Sequence, residues 1–290
     1  MKLGLGTVQF GQAYGITNAR GVTPQAEAHA VIRRAAEAGV LVLDTAPRYG
    51  DAERVLGSLG PQLADLRIVT KTPDYAGVPD AGAHASASFD ASLKTLGLER
   101  VHGWLEHRVE ALLGPDGDAI WRALSDARDA GRVARIGASV YTTAQLDGLL
   151  ERYPIDLVQL PANVLDRRQL DPERLARLRG AGIEVHARSA LLQGALLGDP
   201  AAMPQIPGLG PLVGTFQRIC ADAGCSPLAG ALGFLQSIPE IDVVLLGVED
   251  TTQLNQALEA AAIPLDPTLF DGLACDDPLI VDPSQWKART

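Results

Sequence analysis

The sequence contains little cysteine, few aromatic side chains and fewer basic than acidic residues. Its three cysteines, Cys220, Cys225 and Cys275, match no spacing typical of metal ligands, so we predict buried structural thiols and no metal site. Aromatic residues make up 4% of the 290 residues, which argues against a wide apolar binding tunnel. The formal net charge of −10, without a long Lys/Arg run, argues against a nucleic-acid-binding surface.

Long apolar runs and targeting signals are also lacking. No stretch reaches the length of about 18 apolar residues that a membrane span requires, so no membrane partner is predicted. The segment from Met1 to Thr7 has one charged side chain and no long apolar region, unlike a secretory signal. With 47% apolar residues for a large core, the chain is expected to be a cytoplasmic enzyme.

Short apolar runs alternate with helix-like segments along the chain. The runs predict strands at residues 2–8, 40–43, 66–70, 101–105, 133–137, 155–160, 183–187 and 241–246. The segments between them predict helices at residues 24–38, 51–59, 86–96, 118–130, 143–151, 172–181, 212–223, 227–237 and 252–262. Thr23 is expected to cap the first helix, and Thr142 or Thr143 the fifth. Residues 199–211 are predicted to be an irregular loop.

Eight alternating strand–helix units predict an α/β fold, a single (β/α)8 TIM barrel. The rival is an open, doubly wound sheet, which normally has a G-x-G-x-x-G turn after its first strand. Gly4, Gly6 and Gly11 do not fit that pattern. No linker divides the sequence, so residues 1–290 are expected to form one barrel domain, with 271–290 as a C-terminal tail.

Polar side chains follow several of the predicted strands, and a barrel brings all strand ends to one rim. Asp44 and Tyr49 follow the second strand, Lys71 follows the third and His107 follows the fourth. Each of these residues alone is more often a packing or surface group than a catalytic one. Together they form a set suited to proton transfer to a carbonyl oxygen.

The expected proton donor is Tyr49. Free tyrosine has a pKa of about 10, and we expect the neighbouring ammonium of Lys71 to lower it by favouring the phenolate. Asp44 would hold the lysine charged, and His107 would orient the substrate carbonyl. Without a strong nucleophile or metal ligands, the set suits hydride addition from a nicotinamide cofactor with protonation by the tyrosine.

The same segments resemble the signature blocks of the aldo-keto reductase family, in the right order and over nearly the whole chain. The blocks are GLGTVQFG (4–11), LDTAPRYGDAERVLG (43–57), VTK (69–71), WLEHR (104–108), IGAS (136–139), VQLPANVLD (158–166), SALLQGALL (189–197) and LLGVEDTTQL (245–254). Members of that family are (β/α)8 barrels that reduce aldehydes and ketones with NAD(P)H, generally without metals.

By this resemblance, Asp44, Tyr49, Lys71 and His107 match the family's catalytic tetrad, with Tyr49 as the general acid. Asp44 is also expected to contact the cofactor. The resemblance further implies that a set of side chains at the ends of strands one, five, six, seven and eight binds the dinucleotide. These residues are Gly6, Thr7, Ser139, Gln159, Asn163, Ser189, Leu191, Gln193, Gly194, Gly247, Val248, Asp250 and Gln253.

Two departures from the family pattern concern the cofactor. Arg188 stands where many members stack an aromatic ring on the nicotinamide, so it is expected to be a platform for that ring or a clamp for an anionic substrate. Glu249, Asp250 and Thr251 stand where NADP-selective members usually carry Arg or Lys. On their own the two acidic side chains favour NAD(H), whereas the usual cofactor preference of the family is NADP(H). Because basic residues can approach from elsewhere in the chain, we place NADP(H) slightly ahead of NAD(H).

The expected partner is a small-molecule carbonyl substrate. Tyr14, Arg48, Trp104, Arg108 and Tyr141 are predicted to form a polar, partly basic rim suited to a polar or anionic compound such as a sugar derivative. A monomer or small homo-oligomer is expected. Two alternatives stay open: a sugar isomerase, epimerase or lyase without net redox change, and a cofactor-sensing regulatory protein on the same fold.

Overall fold

The computed structural model describes residues 2–203 and 205–286 and contains eight parallel strands closed into a barrel. Each strand pairs with the next along the chain, and β8 pairs with β1 with Gly4 opposite Leu245. This confirms the predicted (β/α)8 fold. The strands are β1 Leu3–Gly6, β2 Val42–Asp44, β3 Arg67–Lys71, β4 Val101–Glu106, β5 Val133–Ser139, β6 Leu157–Pro161, β7 Glu184–Arg188 and β8 Val243–Gly247.

Helices alternate with the strands. None that the structure describes is both long and apolar enough to cross a membrane. The helices are α1 Gln25–Glu37, α2 Ala52–Gly57, α3 Ala81–Leu96, α4 Glu110–Leu113, α5 Gly117–Asp129, α6 Thr143–Arg152, α7 Pro172–Gly180, α8 Leu209–Asp222, α9 Pro227–Gln236, α10 Thr251–Ala261 and α11 Pro278–Val281.

Helix starts are where the structure departs most from the sequence prediction. Helix α3 begins at Ala81 rather than at residue 86, because Asp80 caps it by accepting a hydrogen bond from a backbone N–H. Within residues 199–211, Pro200–Ala202 form a 3-10 turn and α8 begins at Leu209. Pro204 lies outside the described residues, as do residues 287–290 of the predicted tail.

One predicted cap is confirmed and one is wrong. Thr142 caps α6, and Gln145 completes a reciprocal capping box. Thr23 does not cap α1, because its hydroxyl donates to the carbonyl oxygen of Glu249 at 3.2 Å. Thr23 therefore joins the start of α1 to the loop after β8, a long-range contact that local sequence does not reveal.

The apolar core has two parts. The smaller part is a buried cluster of six side chains from β2, β3, β4, β6 and β8. These residues are Val42, Val69, Leu105, Leu157, Val243 and Leu245. A larger cluster fills the space between sheet and helices and includes Phe89, Phe216 and Phe270. Burying each large apolar side chain contributes roughly 1.5–3 kcal/mol, so this core fixes the barrel and leaves the strand ends free for polar groups.

A half-buried charge cluster is centred on Glu184, the first residue of β7. Its carboxylate lies 3.1 Å from His102 Nε2, 2.7 Å from His186 Nε2 and 2.8 Å from Arg135 Nε. Burial alone would raise the pKa of Glu184, but the hydrogen bonds with both imidazoles lower it well below its ordinary value. The barrel therefore carries an acid-sensitive group at the amino end of its strands.

We expect Glu184→Gln to destabilise the protein at neutral pH and to lose this effect in acid. The folded pKa lies below the unfolded value of about 4.3, so the carboxylate adds stability above that pH, and this stability is lost as the pH falls through the folded value. Urea unfolding at a series of pH values measures the difference from the wild type. Glu151→Gln, at an exposed position of α6, is the matched control. A difference that stays constant down to about pH 3 would contradict this assignment.

Candidate active site

Three of the four predicted catalytic side chains lie at the carboxyl ends of neighbouring strands. Asp44 is the last residue of β2, Lys71 is the last residue of β3, and His107 directly follows β4. The fourth, Tyr49, lies in the loop between β2 and α2. Because these strands are parallel and adjacent, they bring the four side chains to one rim of the barrel.

The ammonium of Lys71 is bound by the carboxylate of Asp44. Nζ lies 2.7 Å from both carboxylate oxygens and 3.0 Å from the carbonyl oxygen of Thr45. The two side chains are only 2% and 7% exposed, so this is a buried ion pair. Burial lowers the pKa of Lys71, and the negative charge of Asp44 opposes that shift. The amide of Gln159 also donates to Asp44, which holds the carboxylate from a second direction.

Tyr49 and His107 face each other beside this ion pair. Their rings meet edge to face, with centroids 5.7 Å apart and planes at 87°. Lys71 Nζ lies 5.0 Å from the centre of the Tyr49 ring. The backbone N–H of His107 donates to the hydroxyl of Thr72 at 3.0 Å, which fixes the residue at the end of its strand. The predicted phenol, ammonium, imidazole and carboxylate thus form one cluster.

The protonation state of Tyr49 differs from the expectation drawn from the sequence. Burial raises its pKa well above the ordinary value, and the negative charge of Asp44 raises it further. The prediction of a lowered pKa is therefore wrong, because the charge of Lys71 is balanced by Asp44 while the phenol itself is desolvated. Tyr49 is a neutral phenol at neutral pH, the state that can donate a proton.

His107 is a neutral imidazole. Burial lowers its pKa to about 2, and the positive charges of Lys71, Arg48 and Arg188 act in the same direction. Its Nδ1 is buried and has no hydrogen-bond partner among the described residues. A neutral ring can donate one N–H to a carbonyl oxygen, but it does not supply a cationic acid at neutral pH.

Two glycines let the Tyr49 loop pack against the loop after β1. A Cβ at Gly11 would overlap the carbonyl oxygen of Tyr49, and a Cβ at Gly50 would overlap the carbonyl oxygen of Gly11. Gly50 also has a φ of 55°, in the left-handed region that glycine adopts without steric cost. The close approach of these two backbones holds the phenol in position.

A cavity of about 760 Å³ opens at this rim, and the four side chains of the cluster line it. Its volume is within the range of about 300–1,000 Å³ that is common for small-molecule sites. Most of the predicted cofactor contacts lie in its wall. They are Gly6, Asp44, Ser139, Gln159, Arg188, Ser189, Leu191, Gln193, Gly194, Gly247, Val248 and Gln253.

Three predicted cofactor contacts, Thr7, Asn163 and Asp250, lie outside this wall. Thr7 is buried, and its hydroxyl donates to the backbone oxygen of Asp44 at 3.0 Å. Asn163 is buried in the loop after β6, where it donates to the carbonyl oxygen of Ser189 at 3.2 Å. Both side chains hold neighbouring segments in place, which explains why they do not face the cavity.

The predicted substrate rim is only partly formed. Tyr14 and Tyr141 line the cavity. Trp104 does not, because it is buried and stacks on a phenylalanine ring of α3, with centroids 4.1 Å apart. Arg48 and Arg108 also lie outside the cavity wall. Tyr14 and Tyr141 are thus confirmed as lining residues, and the arginines of the wall are Arg20 and Arg188 instead of Arg48 and Arg108.

The loop between β1 and α1 lines the cavity, and we call residues 12–21 the strap. Asn18 shapes it: its Oδ1 accepts from the backbone N–H of Arg20 at 2.9 Å, and its Nδ2 donates to the carbonyl oxygen of Gly21 at 2.9 Å. On one side, the N–H of Ile16 donates to the carbonyl oxygen of Gln193, in the loop after β7, at 3.2 Å. The Asn-x-x-Gly pattern at residues 18–21 is a turn signal, but it does not reveal the contact with the loop after β7.

On its other side, the strap is joined to the loop after β8 by an ion pair between Arg20 and Asp250. The Arg20 side chain is 67% exposed and lines the cavity, whereas the Asp250 side chain is 13% exposed. The other carboxylate oxygen of Asp250 caps α10 by accepting from the N–H of Gln253 at 2.8 Å. Both oxygens of Asp250 are therefore occupied within the chain.

The loop after β7 contains left-handed backbone at residues other than glycine. Ser189, Leu192 and Gln193 have φ values of 60°, 49° and 55°. Such residues cost roughly 1–2 kcal/mol each and persist where the surrounding structure holds them, often at functional sites. The next residue, Gly194, has a φ of 91°, and a Cβ there would overlap the side chain of Thr17 in the strap. The strain thus coincides with the contact between this loop and the strap.

Arg188, the last residue of β7, is half-buried in the cavity wall. Its guanidinium donates to the hydroxyl of Ser139 at 3.2 Å, the carbonyl oxygen of Val140 at 3.0 Å and the hydroxyl of Ser189 at 3.5 Å. Its central carbon lies 4.0 Å from the centre of the Tyr141 ring. All four contacts are with uncharged groups.

The residues present fit a nicotinamide dinucleotide. Oε1 of Gln9 and Oε1 of Gln159 are buried at the cavity without a hydrogen-bond partner among the described residues, and buried amide oxygens normally have one. The carboxamide and ribose hydroxyls of the cofactor would supply donors of that kind. Within the described part of the chain, no group of three or more His, Cys, Asp and Glu side chains is placed to hold a metal ion.

Comparison with known proteins gives the same assignment as the geometry. Residues 2–273 match the Aldo/keto reductase family. An uncharacterized oxidoreductase of Mycobacterium tuberculosis is 29% identical, with 94% of this chain and 88% of that protein aligned. A 6-dehydroglucose reductase of Agrobacterium fabrum is 27% identical, with 84% and 85% aligned. The holo form of an aldo-keto reductase from Bacillus halodurans has the same fold, with a TM-score of 0.78, 19% identity and coverage of 99% and 95%.

Proposed function

The chain belongs to the aldo/keto reductase family, and from that premise we propose that it reduces the carbonyl group of a small polar aldehyde or ketone with NAD(P)H. Membership supports an oxidoreductase that uses a nicotinamide cofactor. One observation carries the finer proposal: Tyr49, Lys71, Asp44 and His107 converge at one cavity.

Tyr49 would donate the proton. Its hydroxyl is neutral at neutral pH because burial raises its pKa. The nicotinamide cofactor, when bound, supplies the hydride that adds to the carbonyl carbon. His107 would donate a hydrogen bond to the same oxygen and orient it. Lys71, held by Asp44, would stabilise the negative charge that remains on Tyr49 after proton transfer.

A sugar-derived carbonyl compound is the proposed substrate class. Tyr14 and Tyr141 line the cavity, and each offers a hydroxyl and an aromatic face to a polyhydroxylated ligand. The similarity to a 6-dehydroglucose reductase supports the same class. The low aromatic content of the chain argues against a bulky apolar substrate.

NADP(H) is the proposed cofactor, ahead of NAD(H). Arg20 brings a guanidinium to the cavity wall from the strap. Among the described residues only its Nη1 contacts Asp250, so its other N–H groups stay available to a phosphate, although the loop after β8 is acidic. The carboxylate of Asp250 is already bound by Arg20 and by the α10 backbone, so it is not free to accept hydrogen bonds from a ribose diol. A 2′-phosphate is a natural partner for a guanidinium.

Nucleotide binding and turnover test the reductase proposal together. We expect NADPH to bind in a fluorescence titration and its absorbance band to decay when aldehydes and aldoses are added. Binding without turnover across the panel would favour a cofactor-sensing protein. Absence of binding by both NADPH and NADH would favour a non-redox enzyme.

Arg20→Ala is expected to weaken NADPH binding about ten-fold and to leave NADH binding nearly unchanged, since one charge-assisted contact with a phosphate contributes about 1.4 kcal/mol or more. Dissociation constants from fluorescence titration give both values. Arg33→Ala removes an exposed arginine outside the cavity wall and is the control. Equal weakening of both nucleotides would mean that Arg20 does not distinguish the 2′ position.

A further inference from the structure

Arg188 gives the cavity a positive charge without a balancing carboxylate. The other charges beside Tyr49 belong to Lys71 and Asp44, which neutralise each other in a closed pair. Within residues 2–203 and 205–286, Arg188 forms no ion pair, and its contacts are a tyrosine ring, two hydroxyls and a carbonyl oxygen. Near Tyr49 the cavity wall therefore carries one unpaired positive charge, whereas the carboxylate of Glu249 lies in the part of the wall formed by the loop after β8.

The field of this charge reaches the reacting groups. Arg188 acts to lower the pKa values of His107 and Lys71, and it opposes the rise in the pKa of Tyr49. Half-burial keeps water from screening the charge fully, so its effect on a neighbouring ligand is larger than that of an exposed arginine. The guanidinium is also held rigidly, since its Nε, Nη1 and Nη2 all donate to the protein.

The proposed reaction would bring the nicotinamide near this charge. Hydride must reach the carbon of the carbonyl whose oxygen receives the proton of Tyr49, so the ring has to lie in the part of the cavity that holds Tyr49. Arg188 lines that part, and it is paired across the sheet with Pro161, two residues beyond Gln159 on β6. Gln159 lines the same cavity, and its Oε1 has no hydrogen-bond partner among the described residues.

We propose that Arg188 makes the site bind the reduced, uncharged nicotinamide more tightly than the oxidised, cationic one. This inference rests on the proposed reductase function. In that reaction a hydride, which carries two electrons, leaves the dihydronicotinamide for the carbonyl carbon, and Tyr49 protonates the oxygen. The nicotinamide ring then carries a positive charge against an unpaired guanidinium. Arg188 thus promotes release of the oxidised cofactor and reloading with the reduced one.

The test compares dissociation constants of NADPH and NADP⁺ for the wild type and for Arg188→Lys, Arg188→Gln and Arg188→Met. We expect the ratio of oxidised to reduced dissociation constants to fall about ten-fold in the Gln and Met variants, as loss of a nearby unit charge implies. For a two-electron couple this corresponds to a shift of about 30 mV in the potential of the bound cofactor. The Lys variant keeps the charge and should keep most of the ratio. The Gln variant retains hydrogen-bonding groups, so the test does not depend on the folding of the Met variant.

Two results would overturn the proposal. If all variants bind both nucleotides with the wild-type ratio, the charge of Arg188 does not act on the nicotinamide. If the ratio is unchanged and KM rises only for carboxylated or phosphorylated aldehydes, Arg188 is a clamp for an anionic substrate. A wild-type protein that binds neither nucleotide would instead contradict the reductase proposal itself, which separates the two failures.

Discussion

Tyr49→Phe is expected to reduce kcat for carbonyl reduction by roughly 10² to 10⁴-fold, the range contributed by a positioned general acid. The phenylalanine ring can keep the edge-to-face contact with His107 and the position beside Lys71, so only the proton donor is lost. Dissociation constants for NADPH should stay within about two-fold of the wild type, since no cofactor contact is removed. Steady-state kinetics and a fluorescence titration on the same preparation measure both quantities.

Tyr153→Phe is the matched control for this experiment. Tyr153 is also buried, and its hydroxyl lies 3.1 Å from the carbonyl oxygen of Leu112 and 2.9 Å from Asp118 Oδ1, so it donates to one of these two acceptors outside the cavity wall. Its replacement should lower stability slightly and leave kcat unchanged. A Tyr49→Phe enzyme with full activity would show that the proton comes from another group or from water.

Lys71→Met is expected to abolish activity. It should also lower the free energy of unfolding by about 3–5 kcal/mol, the cost of removing one partner of a buried ion pair. The reason is that Asp44 would remain buried beside an apolar side chain, with Gln159 as its remaining donor from a side chain. Urea denaturation at neutral pH measures the loss.

The double variant Asp44→Leu with Lys71→Met separates stability from catalysis. Because removal of both charges leaves neither one uncompensated, we expect the double variant to recover much of the stability while remaining inactive. The single variants Asp44→Leu and Lys71→Met are measured alongside it. If their losses of unfolding free energy simply add in the double variant, the pair is not coupled in the way that its 2.7 Å contacts indicate.

The strands and the catalytic cluster were predictable because they depend on local patterns and on barrel topology. Short apolar runs gave all eight strands, and parallel neighbours bring their carboxyl ends together wherever the barrel closes. Closure of the parallel barrel therefore predicts that Asp44, Lys71 and His107 lie close together, although they are far apart in the sequence. The start of α3 was missed because its first turn is rich in alanine and glycine, which carry little amphipathic signal.

The protonation of Tyr49 and the position of Arg20 could not be read from the sequence. The pKa of a phenol depends on how much water reaches it and on how neighbouring charges are already paired, and both follow from the packed structure. The ion pair between Arg20 and Asp250 joins two loops from opposite ends of the chain, without any local pattern that links them. Thr7 and Asn163 were predicted to contact the cofactor, but the structure places them outside the cavity wall. Their positions in the sequence do not show which way their side chains point.

The strap is expected to lower the rate of nucleotide exchange. Since Asn18 shapes this loop through bonds within the chain, its conformational freedom is lost during folding and not during ligand capture. A dinucleotide that enters the cavity would have to pass the contacts of the strap with the loops after β7 and β8, which would slow its binding and its release. We therefore expect nucleotide exchange, more than the chemical step, to limit turnover, which stopped-flow measurement of cofactor release would check.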